Sequence, residues 1–145
     1  MNIAVDFDGT IVEHDYPRIG PELPFAIDTL KKLQQEQHRI ILWTVREGTL
    51  LEEAVEYCRK RGLEFYAVNK DFPEETPQSD RYTRKLKADL FIDDRNLGGM
   101  PDWGVVYRMV HDGISFEEAL QDLPMKKRKK NLFLRIGEAI ENRSR

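Results

Sequence analysis

Apolar positions fall in short, nearly continuous runs separated by segments with helical spacing. Ile3, Ala4, Val5 and Phe7 form the first run. Ile40, Ile41, Leu42 and Trp43 form the second, within a strand predicted over 39–45. Such runs are what strands buried on both faces of a parallel sheet look like. Further strands are predicted over 64–68, 88–92 and 103–110. Between the first two runs, Ala26, Ile27, Leu30 and Leu33 share one face of a helix, opened by Pro24 and running to about residue 37. Leu51, Ala54, Val55 and Cys58 give the next helix, with Thr49 and Glu52 as a capping box and Gly62 as its stop. Ser115 and Glu118 predict another capping box and a helix over 116–123.

The connections carry the breakers. Residues 11–21 contain Pro17, Gly20 and Pro21 and read as a loop or short hairpin able to fold over the first strand's end. His14, Tyr16 and Arg18 are its polar candidates; a solvated loop is the plainer account of each. Residues 69–80, with Pro73 and Pro77, read as a loop, and 81–87 as a short basic helix. Residues 95–102 read as a second loop. Strand and helix alternate, which predicts an α/β fold: a mostly parallel sheet of five strands with helices on both faces.

Composition narrows the class. The chain has 145 residues, enough for one domain with a real core. A net charge of −3 argues against a dedicated nucleic-acid binder. No apolar run approaches the ~20 residues of a membrane span, and no signal peptide is expected at the start. Cys58 is the lone cysteine, which excludes an intrachain disulfide and suits a reducing, cytoplasmic setting. On its helix it reads as core filling. The basic run Lys126, Lys127, Arg128, Lys129 and Lys130 precedes Leu132, Phe133, Ile136 and Ile140 at helical spacing. The chain therefore divides into a body, 1–124, and a basic helical tail, 125–145, packing on the body, on a second copy as a homodimer, or on an anionic partner.

Chemistry gathers at strand ends. The first run ends in Asp6 and Asp8, and residues i and i+2 of a strand point to the same side. Two like charges about 4 Å apart repel by roughly 1 kcal/mol in water and about 4 kcal/mol at an effective dielectric near 20. A divalent cation, a buried Lys or Arg, or a shared proton would offset that; a solvated turn is the bland alternative. Gly9 lets the backbone turn away. The second strand ends in Thr44, with Arg46 two residues on; the fourth ends in Asp93 and Asp94. If these strands are neighbours, the acids, the hydroxyl and the guanidinium share one rim, where open parallel sheets bind ligands.

These residues resemble known signatures. Asp6-Phe7-Asp8-Gly9-Thr10 resembles the first signature of the haloacid dehalogenase superfamily of aspartate-nucleophile phosphohydrolases. Leu42-Trp43-Thr44 resembles the second, and Lys85 with residues 88–94 the third and fourth. Thr44-Val45-Arg46 and Asp93-Asp94-Arg95 are similar to the phosphatase domain of phage-type polynucleotide kinase. The resemblance implies a Rossmann-like three-layer sandwich and a Mg²⁺-dependent phosphatase. Asp6 is then the nucleophile, giving an aspartyl-phosphate, and Asp8 the general acid and base. Thr44, Arg46 and Gly9 bind the phosphate, and Lys85 neutralises charge. Mg²⁺ is held by Asp6, the Asp8 carbonyl, and Asp93 or Asp94. Leu86 follows Lys85 where the family often has Pro, so Arg84 and Lys87 compete for the cation's role.

Segment lengths add one expectation. About 30 residues separate Thr10 from Thr44 and roughly 40 separate Thr44 from Lys85. Neither interval has room for a separate cap domain. An open site favours a phosphate protruding from a larger body, a nucleic-acid end included, or closure by a second subunit; the flap over 11–21 gives partial cover for a small ester. Two other readings stand beside phosphatase: a non-hydrolytic phosphate-binding module, and a metal-dependent transferase or nuclease using Asp-x-Asp for metal alone.

Overall fold

In the computed structural model, which describes residues 1–79 and 82–121, the first apolar run becomes strand β1, Asn2–Val5. Strand β2, Arg39–Leu42, pairs with it in parallel, Ile3 opposite Ile40 and Val5 opposite Leu42. Strand β4, Leu90–Ile92, pairs with its other edge, Val5 opposite Ile92. Strand β3, Ala67–Val68, pairs with β2, so the four-stranded parallel sheet runs β3-β2-β1-β4. Ile3 and Val5 are 0 % exposed, as the unbroken apolar pattern requires. Connections leave β1's neighbourhood in opposite directions, the arrangement that opens a crevice at the strands' carboxyl ends.

Helices α1, Ala26–Gln35, α2, Gly48–Arg59, and α3, Trp103–His111, contribute to one core with Ile3, Val5, Phe7, Ile40, Leu42 and Ile92. The opposite face carries a smaller cluster of Ala4, Ile41, Ala67 and Leu86, flanked by Trp43, Tyr66, Ala88 and Phe91. Helices α1 and α2, which link β1 to β2 and β2 to β3, pack in one core on the same face, as crossovers of one hand require. The return from β3 to β4 covers the other face with loop residues, so among the described residues the helical layer is one-sided, not the two-sided one expected. None of these helices is long and apolar enough to cross a membrane.

Other expectations are corrected. Among the described residues there are four strands, not five: residues 103–110 form α3, whose N-cap Asp102 accepts bonds from the Gly104 and Val105 amides. Trp103, Val106, Tyr107 and Val110 then pack on the core at helical spacing. Residues 82–87 are not helical. Glu47, not Thr49, is the N-cap of α2, without a side-chain cap bond, and α1 begins at Ala26, after Pro24. Gly62 does stop α2: its φ is +79°, and Gly62 and Leu63 donate back to the Arg59 and Cys58 carbonyls. The Ser115 box holds at α4, Phe116–Gln121: the Ser115 amide donates to Glu118 Oε2 at 2.8 Å, and the Glu118 amide to Ser115 Oγ at 3.2 Å. Cys58 is buried core filling, and burial pushes its thiol up to about 12. The tail at 125–145 lies outside the described residues.

Candidate active site at the strand tips

The ladder extends one residue past β1, with the Asp6 amide donating to the Ile92 carbonyl at 3.0 Å. That bond brings the acids after β1 and β4 together: an oxygen from each of Asp6, Asp93 and Asp94 lies within 4.8 Å of the others. Thr10 fixes the far side. Its hydroxyl accepts the Asp94 amide at 3.1 Å, and its carbonyl accepts the Trp103 indole N–H at 2.9 Å. Gly9 makes the close approach possible. Its φ is +87°, and a Cβ there would sit 2.5 Å from Asp94 Oδ2. We expect Gly9→Ala to cost about 1–3 kcal/mol of stability and to displace Asp94. Thermal melts would show both, as a lower midpoint and a loss of its rise with added divalent cation.

The acidic cluster has the character of a hard-cation site. Asp94 Oδ1 is buried with no hydrogen-bond partner among the described residues. Burial raises the Asp6 carboxyl to about 6, opposed by the Phe7 amide and reinforced by Asp93, Asp94 and Asp8. All-oxygen donors suit Mg²⁺ or a similar hard divalent ion.

Asp8 is treated differently. It is 4 % exposed, and both its oxygens accept from Arg46: Oδ2 from Nε and Oδ1 from Nη2, each at 2.7 Å. Arg46 is itself 1 % exposed, and Asp8 raises its pKa. The guanidinium also donates to the Pro17 carbonyl at 3.0 Å and the Arg18 carbonyl at 2.7 Å. The flap therefore does fold over the strand end, and Arg46 straps it there. Val12 bridges Glu22 in antiparallel fashion, closing the loop as a narrow hairpin. So Arg46, expected on the phosphate, instead grips Asp8 with two bonds. Among the described residues, one guanidinium N–H is left over.

Thr44 stands at the end of β2 under tight control. Asn69, in the left-handed region at φ 53°, accepts the Thr44 amide through Oδ1 at 2.8 Å and donates through Nδ2 to its carbonyl at 3.0 Å. The Thr44 hydroxyl accepts the Arg46 amide at 3.2 Å, which leaves its own proton for another acceptor.

Asp6, Asp8, Thr44 and Asp93 line one pocket of about 550 Å³, with His14, Tyr16, Trp43, Val45 and Arg95. Lys85 is not among the lining residues; it is exposed, its Nζ 5.6 Å from the centre of the Phe91 ring. Lys87 pairs with Asp71 at 3.6 Å. Arg95 is the lysine or arginine on the pocket wall. Asn69, Thr10 and Arg95 also belong to the site, beyond the residues expected there. Asn69 directly follows β3, a polar residue at a third strand tip, and that position was its signal.

No family model matches the sequence, and no curated protein matches it. A solved structure does: a conserved protein from Bacteroides thetaiotaomicron, 68 % identical, aligned over 81 % of this chain and 94 % of that one with a TM-score of 0.77. At that identity and coverage, the chain belongs to the family of this conserved Bacteroides protein.

Proposed function

We propose that the chain is a Mg²⁺-dependent phosphomonoesterase with Asp6 as nucleophile, in keeping with its resemblance to the haloacid dehalogenase superfamily. The observation that carries this is the meeting of Asp6 with Asp93 and Asp94, beside Thr44, where neighbouring parallel strands end. Asp6, Asp93, Asp94 and the Asp8 carbonyl would hold Mg²⁺. The ion supplies charge neutralisation between the phosphate dianion and the carboxylates. The absence of room for a cap between the motifs suits an open pocket, and the lone reduced Cys58 suits the cytoplasm.

An Asp6 oxygen bonds to phosphorus while the ester P–O bond breaks, and the departing oxygen takes a proton from Asp8. To carry that proton, taken from solvent before the first turnover and regained from the attacking water in each later one, Asp8 gives up one of its two bonds from Arg46. Water then attacks the phosphorus, passing its proton to Asp8, and the P–O bond to Asp6 breaks to release phosphate. Thr44 donates its hydroxyl proton to a phosphoryl oxygen, and Arg95 supplies positive charge from the wall.

The test is phosphate release from a generic aryl phosphate, with trapping of the intermediate. We expect Mg²⁺-dependent turnover, abolished by chelator, and a phosphoryl group on Asp6 identifiable by borohydride reduction to homoserine. Turnover with no modification at Asp6 would show that the acids only hold metal.

A further inference from the structure

We infer that this pocket selects phosphate esters whose alcohol carries a planar aromatic ring close to the phosphate, held against Tyr16 and Trp43. The inference rests on the phosphatase reading for the position of the phosphate and goes beyond it in naming the alcohol.

A phosphate anchored by Thr44 and the acids would occupy only a small part of the roughly 550 Å³ pocket, a volume in the range of whole-ligand sites. The remaining wall is built from Tyr16, Trp43 and Val45, with Arg95 and His14. Tyr16 is 48 % exposed and Val45 71 % exposed, an unusual outlay of apolar surface beside a cluster of charges. Trp43 is half-buried.

Tyr16 is also pre-positioned. The Arg46 guanidinium carbon lies 5.3 Å from the centre of its ring and 5.1 Å from that of Phe7. The guanidinium thus lies over both rings, and its bonds to the Pro17 and Arg18 carbonyls fix the backbone next to Tyr16. One side of the Tyr16 ring faces a cation that cannot move away without unpairing Asp8; the remainder borders the pocket. A rigid, exposed ring loses little entropy on binding a flat partner, and stacking is indifferent to the ring's substituents. Flexible aliphatic or polyhydroxylated alcohols would gain less from this wall.

The experiment compares esters of equal intrinsic reactivity that differ in the ring. Adenosine 5′-monophosphate is paired with ribose 5-phosphate, and benzyl phosphate with propyl phosphate; each pair shares a primary alcohol. We expect kcat/KM to favour the ring-bearing member by about tenfold or more. The nucleotide pair and the benzyl pair separate a nucleoside from a simpler aryl group as the source of the ring. Tyr16→Ala should collapse the ratio toward one, and Tyr16→Phe should keep it. In parallel, Asp6→Asn is titrated with the same esters while Trp43 fluorescence is followed; Trp103, 2 % exposed, is shielded from quenching. Equal kcat/KM and equal affinity within each pair would overturn the inference and leave the phosphatase reading intact. Ring-selective binding without turnover of any ester would support the inference while removing the phosphatase reading.

Discussion

Asp6→Asn is expected to lower phosphate release by about 10⁴-fold or more and, in metal-free protein, to raise stability above pH 6. The two effects share one cause. Folding removes much of the water around Asp6 and sets it among Asp93, Asp94 and Asp8, which raises its pKa from 3.8 to about 6. The folded protein therefore holds a proton that the unfolded chain has released, between about pH 4 and 6. The stabilisation from that proton is fully present below the unfolded value and is lost as pH rises through 6. Above that, the charged carboxylate costs about 1–2 kcal/mol, after allowance for screening by water reaching the pocket. Asparagine carries no such cost. Denaturation curves should show the variant gaining on the wild type as pH rises from 4 to 7, and added Mg²⁺ should narrow the gap by stabilising the wild type. Retained turnover in Asp6→Asn would refute the nucleophile; a pH-independent gap would refute the buried charge.

Arg46→Met should give the largest loss of stability, about 3–5 kcal/mol, because it strands a buried carboxylate. The Asp8–Arg46 pair is not a surface ion pair: its side chains are 5 % and 0 % exposed. The substitution also releases the flap carbonyls of Pro17 and Arg18. For a domain of this size the melting midpoint should fall by roughly 10 °C or more. Arg46→Lys should recover only part of this, since an ammonium cannot reproduce the planar fork that meets both Asp8 oxygens. Pairing Arg46→Met with Asp8→Leu should restore much of the loss by removing the orphaned charge. A cost for Arg46→Met below about 1 kcal/mol, typical of exposed pairs, would show that solvent already reaches Asp8.

Much of the fold was legible because strands buried on both faces write their burial as unbroken apolar runs. Ile3 to Val5 and Ile40 to Leu42 are such runs, and the carboxylates and hydroxyl just beyond them come together as expected. What failed did so for identifiable reasons. Residues 103–110 are rich in valine and aromatic side chains, so β-propensity outweighed the helix signal of Asp102; tertiary packing of Trp103 and Val106 decided otherwise. The repulsion between Asp6 and Asp8 admitted several remedies. The structure uses one for Asp8, the Arg46 guanidinium, and leaves Asp6 with its neighbours Asp93 and Asp94. Spacing alone cannot say which acid a buried arginine will choose. Lys85 followed from motif order rather than from packing, and its exposed place over Phe91 is set by the face its loop covers.

The sheet order bears on synthesis at the ribosome. Strand β1 emerges first yet lies between β2 and β4, so its second edge stays open until residues 90–92 arrive. A nascent chain that has emerged past residue 69 can already zip β1, β2 and β3, seat Arg46 on Asp8 and clamp Thr44 with Asn69. Such a partial chain would already hold both partners of its most deeply buried ion pair. It would also present the unpaired edge of β1 to other nascent chains for as long as translation of the next twenty or so residues takes. Slow codons in that interval would be expected to raise losses to aggregation, whereas pauses after β4 would not.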